Sequence, residues 1–161
     1  MTIENIFEYI SFIYIAFLFV YGMYVATEDL KEKMIHAFPI TCSIFFYVIF
    51  FIAYSCIIKR YDYLLFFIPI IIYLICFQVF EYFNLWGSGD TKMAMQGAVF
   101  ILIFMRNTNI LTYAFSVCLY LLTAHVIGLI TCLITKEKRA PMGHAFLIAN
   151  LFMLFFLLGK V

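Results

Sequence analysis

Charge is scarce in this chain. Only 12% of its 161 residues are Asp, Glu, Lys or Arg, while 67% are hydrophobic. A soluble domain of this size has too little interior to hide so much apolar surface, so lipid must cover much of it. The formal net charge is only +1, which gives no basic face for nucleic acid. Cysteine pairs at metal-binding or redox spacing are missing as well. Cys42, Cys56, Cys76, Cys118 and Cys132 all fall in apolar runs and form no CxxC, so they read as small buried hydrophobes and not as a zinc site or disulfide framework. No metal and no cofactor is called for. Before the first apolar run stand Glu4 and Glu8 but no Lys or Arg. The basic start of a cleaved signal peptide is absent, and the first run is expected to stay in the protein.

What is present is a succession of long apolar runs. A hydrocarbon core about 30 Å thick takes roughly 20 apolar residues in a helix. Six runs are read as spans: Tyr9–Thr27, Ala37–Ile58, Tyr63–Tyr82, Thr91–Met105, Ile110–Thr135 and Gly143–Gly159. Lipid offers no partner to an open strand edge, so the expected fold is all-α, a polytopic membrane protein of about six helices. Residues 1–161 form a single integral-membrane domain with no room for a soluble module. Alternate loops place Lys31, Lys33, Lys92, Lys136, Lys138 and Arg139 on one side, against Lys59, Arg60, Arg106 and Lys160 on the other. The positive-inside rule favours the first side as cytoplasmic. Two spans separate Asp29 from Asp90, so both emerge on the same face whichever way the chain inserts.

Ionisable groups are costly at membrane depth, which makes them functional candidates. Asp90 stands in Gly87-Ser88-Gly89-Asp90-Thr91-Lys92, between a complete span and a short one. The glycines admit backbone angles closed to other residues and let a substrate approach closely. A helix start beside Asp90 favours its ionised form, and Lys92 adds a cation. Taken alone, a GxGD stretch is equally an Asp-capped turn. Asp29 closes the first span among Glu28, Lys31, Glu32 and Lys33, where a charged loop is the plain alternative. Glu81, near the end of the third span, is a possible substrate contact or simply an interfacial residue. His125 reads as packed within the fifth span. His36 and His144 fall on the proposed catalytic side.

These residues resemble a family. Asp29-Leu30-Lys31 followed by Ile35, then Gly87-Ser88-Gly89-Asp90-Thr91-Lys92-Met93, then Lys138-Arg139-Ala140-Pro141-Met142-Gly143 with Phe146-Leu147, look like the successive signatures of type IV prepilin leader peptidases. Those enzymes are intramembrane aspartic proteases of the GxGD kind. Two departures stand out. The family usually has Ile-Pro-Asn where this chain has Ile35-His36-Ala37, and a second proline commonly occupies the place of His144. Larger members carry a cysteine-rich methyltransferase insert that is absent here, so the chain resembles the short peptidase core.

The resemblance implies an endopeptidase of the cytoplasmic membrane, with its site facing the cytoplasm. Its substrate is a prepilin-like precursor: a basic leader, a glycine before the cut, then an apolar helix. Asp29 and Asp90 become the catalytic residues, with Gly87, Ser88, Gly89 and Lys92 as the motif loop. One carboxylate activates water and the other protonates the carbonyl; like charges a few ångströms apart cannot both ionise cheaply, so their pKa values divide. Such values belong to the pair, although Lys92 and the helix start lean towards Asp90 as the ionised member. Two other functions stay open. A small cation-coupled transporter would use Asp29, Glu81 and Asp90 along a path, and a pilus assembly factor would keep the fold without catalysis. The substrate's identity and the oligomeric state are not legible.

Overall fold

A backbone that lies in hydrocarbon has to satisfy its own hydrogen bonds, and a helix does this within one segment. The computed structural model describes residues 3–32, 37–60, 67, 71, 75, 78–79, 81–83, 87–105, 109–136 and 142–158. Among these residues the elements are five helices and no strand: α1 (Ile3–Glu32), α2 (Ala37–Ile57), α3 (Ser88–Met105), α4 (Ile110–Thr135) and α5 (Met142–Leu158). The stretches Glu4–Asp29, Phe38–Ile57 and Ile110–Thr135 are long and apolar enough to cross a membrane, and Met142–Leu157 is a shorter apolar helix. Most of the expected run Tyr63–Tyr82 lies outside the described residues, as do His36, Lys138, Arg139 and Pro141.

Two boundaries differ from the sequence reading. α1 does not end at Thr27 but runs on through Asp29 to Glu32, because a hydropathy drop marks the edge of lipid and not the end of a hydrogen-bond ladder. α3 starts at Ser88, which puts Gly89 and Asp90 inside its first turn. α4 has the expected bounds, and its caps explain them. Asn109 accepts the Thr112 N–H at 2.8 Å, and Lys136 closes the helix in the left-handed region at φ 57°.

α3 is the buried centre. Met93, Ala94, Ala98, Val99, Phe100, Ile101 and Leu102 are all sealed from the outside, and α3 packs on α2, α4 and α5. A helix that is apolar on every side belongs inside a bundle. α1, α4 and α2 instead present Phe12, Phe45, Phe46, Ile49, Leu111, Phe115 and Leu133 outwards, the side chains that lipid contact requires.

Specific contacts set the helix directions. Tyr113 donates to the Ala98 carbonyl at 3.0 Å and Tyr120 to that of Met93 at 3.4 Å, so α3 and α4 run antiparallel. Ser11 pairs with Tyr47 at 3.0 Å and Phe7 stacks on Tyr54, which opposes α1 and α2. Thr131 meets His144 at 2.8 Å and Tyr120 meets Phe146, so α5 opposes α4; Gly143 meets Asp29 at 2.7 Å and Gly22 faces Leu147, so α5 opposes α1. α2 and α3 therefore both run with α5, joined where Gln96 donates to Ser43 at 3.4 Å. One end of the bundle therefore collects the C-termini of α1 and α4 with the N-termini of α2, α3 and α5. Each helix N-terminus carries about half a positive elementary charge and each C-terminus about half a negative one. A carboxylate at that end is favoured where it meets an N-terminus.

Candidate functional site

Asp29 sits in the last turns of α1 and is only 5% exposed. A buried carboxylate without partners is strongly disfavoured. Its Oδ2 accepts the backbone N–H of Gly143 at 2.7 Å. That amide lies in the first turn of α5, where N–H groups have no partner within the helix. Asp29 thus caps a helix 114 residues further along the chain and receives the field of its N-terminus. Gly143 makes the approach possible: a Cβ there would lie 3.1 Å from both Cβ and Oδ2 of Asp29. In the sequence Gly143 stands only as the first residue of the last expected span and the end of the Lys138-Arg139-Ala140-Pro141-Met142-Gly143 stretch.

The GxGD segment is organised by its own helix. Asp90 is half-buried at the third position of α3, and its Oδ2 accepts the Gly87 N–H at 2.9 Å. An acid at that position reaching back to the residue before the helix is one half of a capping box. Thr91 N–H donates to the Gly87 carbonyl at 3.3 Å, so Gly87 is held from both sides. Gly89 is buried and Lys92 half-buried. The backbone of Ser88 opens α3. The Thr91 hydroxyl also donates to Glu81 Oε2 at 3.3 Å, which brings Glu81 to the glycine turn.

Asp29 and Asp90 therefore stand at the same end of the bundle, each serving a helix N-terminus: that of α5 for Asp29, that of α3 for Asp90. Next to Gly143, His144 pairs through Nε2 with the Thr131 hydroxyl at 2.8 Å. His125 is held through Nδ1 at the Leu121 carbonyl, 2.7 Å away, as a packed histidine should be. No protein-family model, curated protein or solved structure matches the chain. Among the described residues no group of three His, Cys, Asp or Glu is arranged to hold a metal ion.

The glycine at 143 gives a direct prediction. Gly143→Ala should push the Asp29 carboxylate from its amide while the helices stay packed. Contacts of 3.1 Å require the carboxylate to give by a few tenths of an ångström, against a cost of up to about a hundredfold in rate for a full ångström. A loss of at least tenfold in any Asp29-dependent activity, with thermal unfolding little changed, is the expected result.

A second device escaped the sequence reading. A Cβ on Gly97 would overlap the ring of Tyr120, whose hydroxyl reaches the Met93 carbonyl. The signal was available as small residues, Ala94, Gly97 and Ala98, inside an apolar helix, a pattern that permits close helix approach.

Proposed function

We propose that this chain is an intramembrane aspartic endopeptidase that removes the basic leader from prepilin-like precursors at the cytoplasmic face of the membrane. The observation that carries the reading is the capture of a buried Asp29 by the start of α5, at the bundle end where the Gly87-Ser88-Gly89-Asp90 turn begins α3. Asp90 lies in the first turn of α3 and Asp29 reaches the first turn of α5, and a helix start is where a carboxylate is cheapest to ionise. In the proposed reaction the two aspartates come together around one water, one as base and one as acid. The six-helix arrangement and the cytoplasmic orientation belong to this same reading.

The substrate suits such a place. Its apolar helix stays in lipid while the junction with the basic leader meets the carboxylates at the membrane edge. Glu81, tied to the turn through Thr91, adds negative charge for that leader.

Co-expression with prepilin-like precursors tests the reading. A mobility shift, and N-terminal sequencing that finds a new end just after the leader glycine, is expected. Precursors that stay full length alongside active protein would reject it.

Cation-coupled transport is the second reading, and one observation favours it. Ser116 Oγ and Asn150 Oδ1 are buried with no hydrogen-bond partner in the protein, as groups beside a hydrated path would be. Proton- or cation-driven flux into liposomes that is lost in Asp29→Asn and Asp90→Asn, from a protein that cuts no precursor, would favour this second reading.

A further inference from the structure

The hydrogen bonds around Asp90 divide into two sets. Within the turn, the Gly87 N–H donates to Asp90 Oδ2 at 2.9 Å, and the Thr91 N–H donates to the Gly87 carbonyl at 3.3 Å. These bonds fix the carboxylate relative to the start of its own helix. The second set reaches outside the turn. The Thr91 hydroxyl has a single proton and two oxygens in range, Glu81 Oε2 at 3.3 Å and the Gly87 carbonyl at 3.5 Å. A carboxylate oxygen is the stronger acceptor, it is the nearer one, and the Gly87 carbonyl already receives the Thr91 N–H. The hydroxyl proton therefore goes to Glu81.

Thr91 is only 6% exposed, so water competes little for this bond. Glu81 stands ten residues before Thr91, beyond the reach of the capping contacts of α3. The residue just before the helix is a glycine, which has no side chain with which to anchor the turn. We propose that Glu81 is a positioning residue for Asp90: through the Thr91 hydroxyl it sets where the start of α3, and with it the second carboxylate, stands for the reaction. The inference rests on the peptidase reading. It goes beyond attraction of a basic leader, which needs only the charge of Glu81, because positioning needs its length and an acceptor oxygen.

Three substitutions separate length from charge. Glu81→Gln keeps an acceptor oxygen at the same reach, so kcat should stay within about threefold of wild type while the lost charge raises KM. Glu81→Asp keeps the charge but is one methylene short of Thr91, and Glu81→Ala loses both. In these two variants kcat should fall roughly ten- to a hundredfold, the cost of a displaced reacting group. Thr91→Val should lower kcat alike and Thr91→Ser should restore it. Glu81→Ala combined with Thr91→Val should be no worse than either alone, as expected of two ends of one contact. A kcat that follows the charge, with Asp active and Gln impaired, overturns the proposal, as does a kcat indifferent to all three changes.

An arm without catalysis uses amide hydrogen exchange of the full chain in lipid nanodiscs. The Gly87 and Thr91 amides should exchange about tenfold faster in Glu81→Ala and Thr91→Val, with the rest of α3 unchanged, and stay slow in Glu81→Gln. Exchange at the turn that ignores Glu81 overturns the proposal. If the wild-type chain cuts no precursor, the peptidase reading falls, and the exchange rates still decide whether Glu81 holds the turn.

Discussion

Asp29→Asn abolishes precursor processing in the expected result, while the protein accumulates in the membrane and unfolds much as the wild type does. The separation of effects follows from the hydrogen bond. An asparagine Oδ1 still accepts the Gly143 N–H, which Asp29 Oδ2 takes at 2.7 Å, so α1 and α5 stay joined. What disappears is the group that exchanges a proton, and general acid–base catalysis is worth about 10² to 10⁴ in rate. Asp90→Asn should behave alike, because its amide oxygen still serves the Gly87 N–H. Alanine at either position is a harsher change, since it also leaves a helix start uncapped. The check is a time course of cleavage for all four variants, with thermal unfolding of each in the same lipid. An asparagine variant that cuts at the wild-type rate would end the paired-aspartate reading.

Gly97→Ala has the largest expected effect on the fold. The added methyl would occupy the space of the Tyr120 ring, and Tyr120 is fully buried, so the ring has no open side to move into. Overpacking a filled core costs roughly 1–3 kcal/mol, and direct overlap with a ring sets this case at the upper end or beyond. The substitution should lower the melting temperature and the yield of folded protein. Tyr120→Leu should recover part of the loss in the Gly97→Ala background while destabilising the wild type, a non-additivity expected only of residues in contact. Additive effects would mean that the two helices are held apart by something else.

The helical class was legible because apolar runs of this length have few other solutions. α4 was located to the residue because its apolar run, Ile110–Thr135, begins and ends where the helix does. α1 was cut short at Thr27. Composition changes there, yet residues 28–32 are ordinary helix formers and carry the ladder onward. The common face of Asp29 and Asp90 followed from counting spans, and the helix directions put both at one end. Nothing local, however, announces that Asp29 is buried. Its cover comes from Gly143, a partner that only the packing of α1 on α5 supplies. Glu81 was named for its position, but its tie to Thr91 needed the turn to be folded. Gly97 and Tyr120 went unnoticed because a glycine within an apolar run looks alike whether it faces lipid or a ring.

The encasement of α3 has a consequence for biogenesis. A segment that meets protein on every side gains little from lipid alone, and its first five residues include an acid and a lysine. Insertion of Ser88–Met105 should therefore await the arrival of the two helices that follow it, which makes the assembly of the end that holds Asp29 and Asp90 depend on α4 and α5.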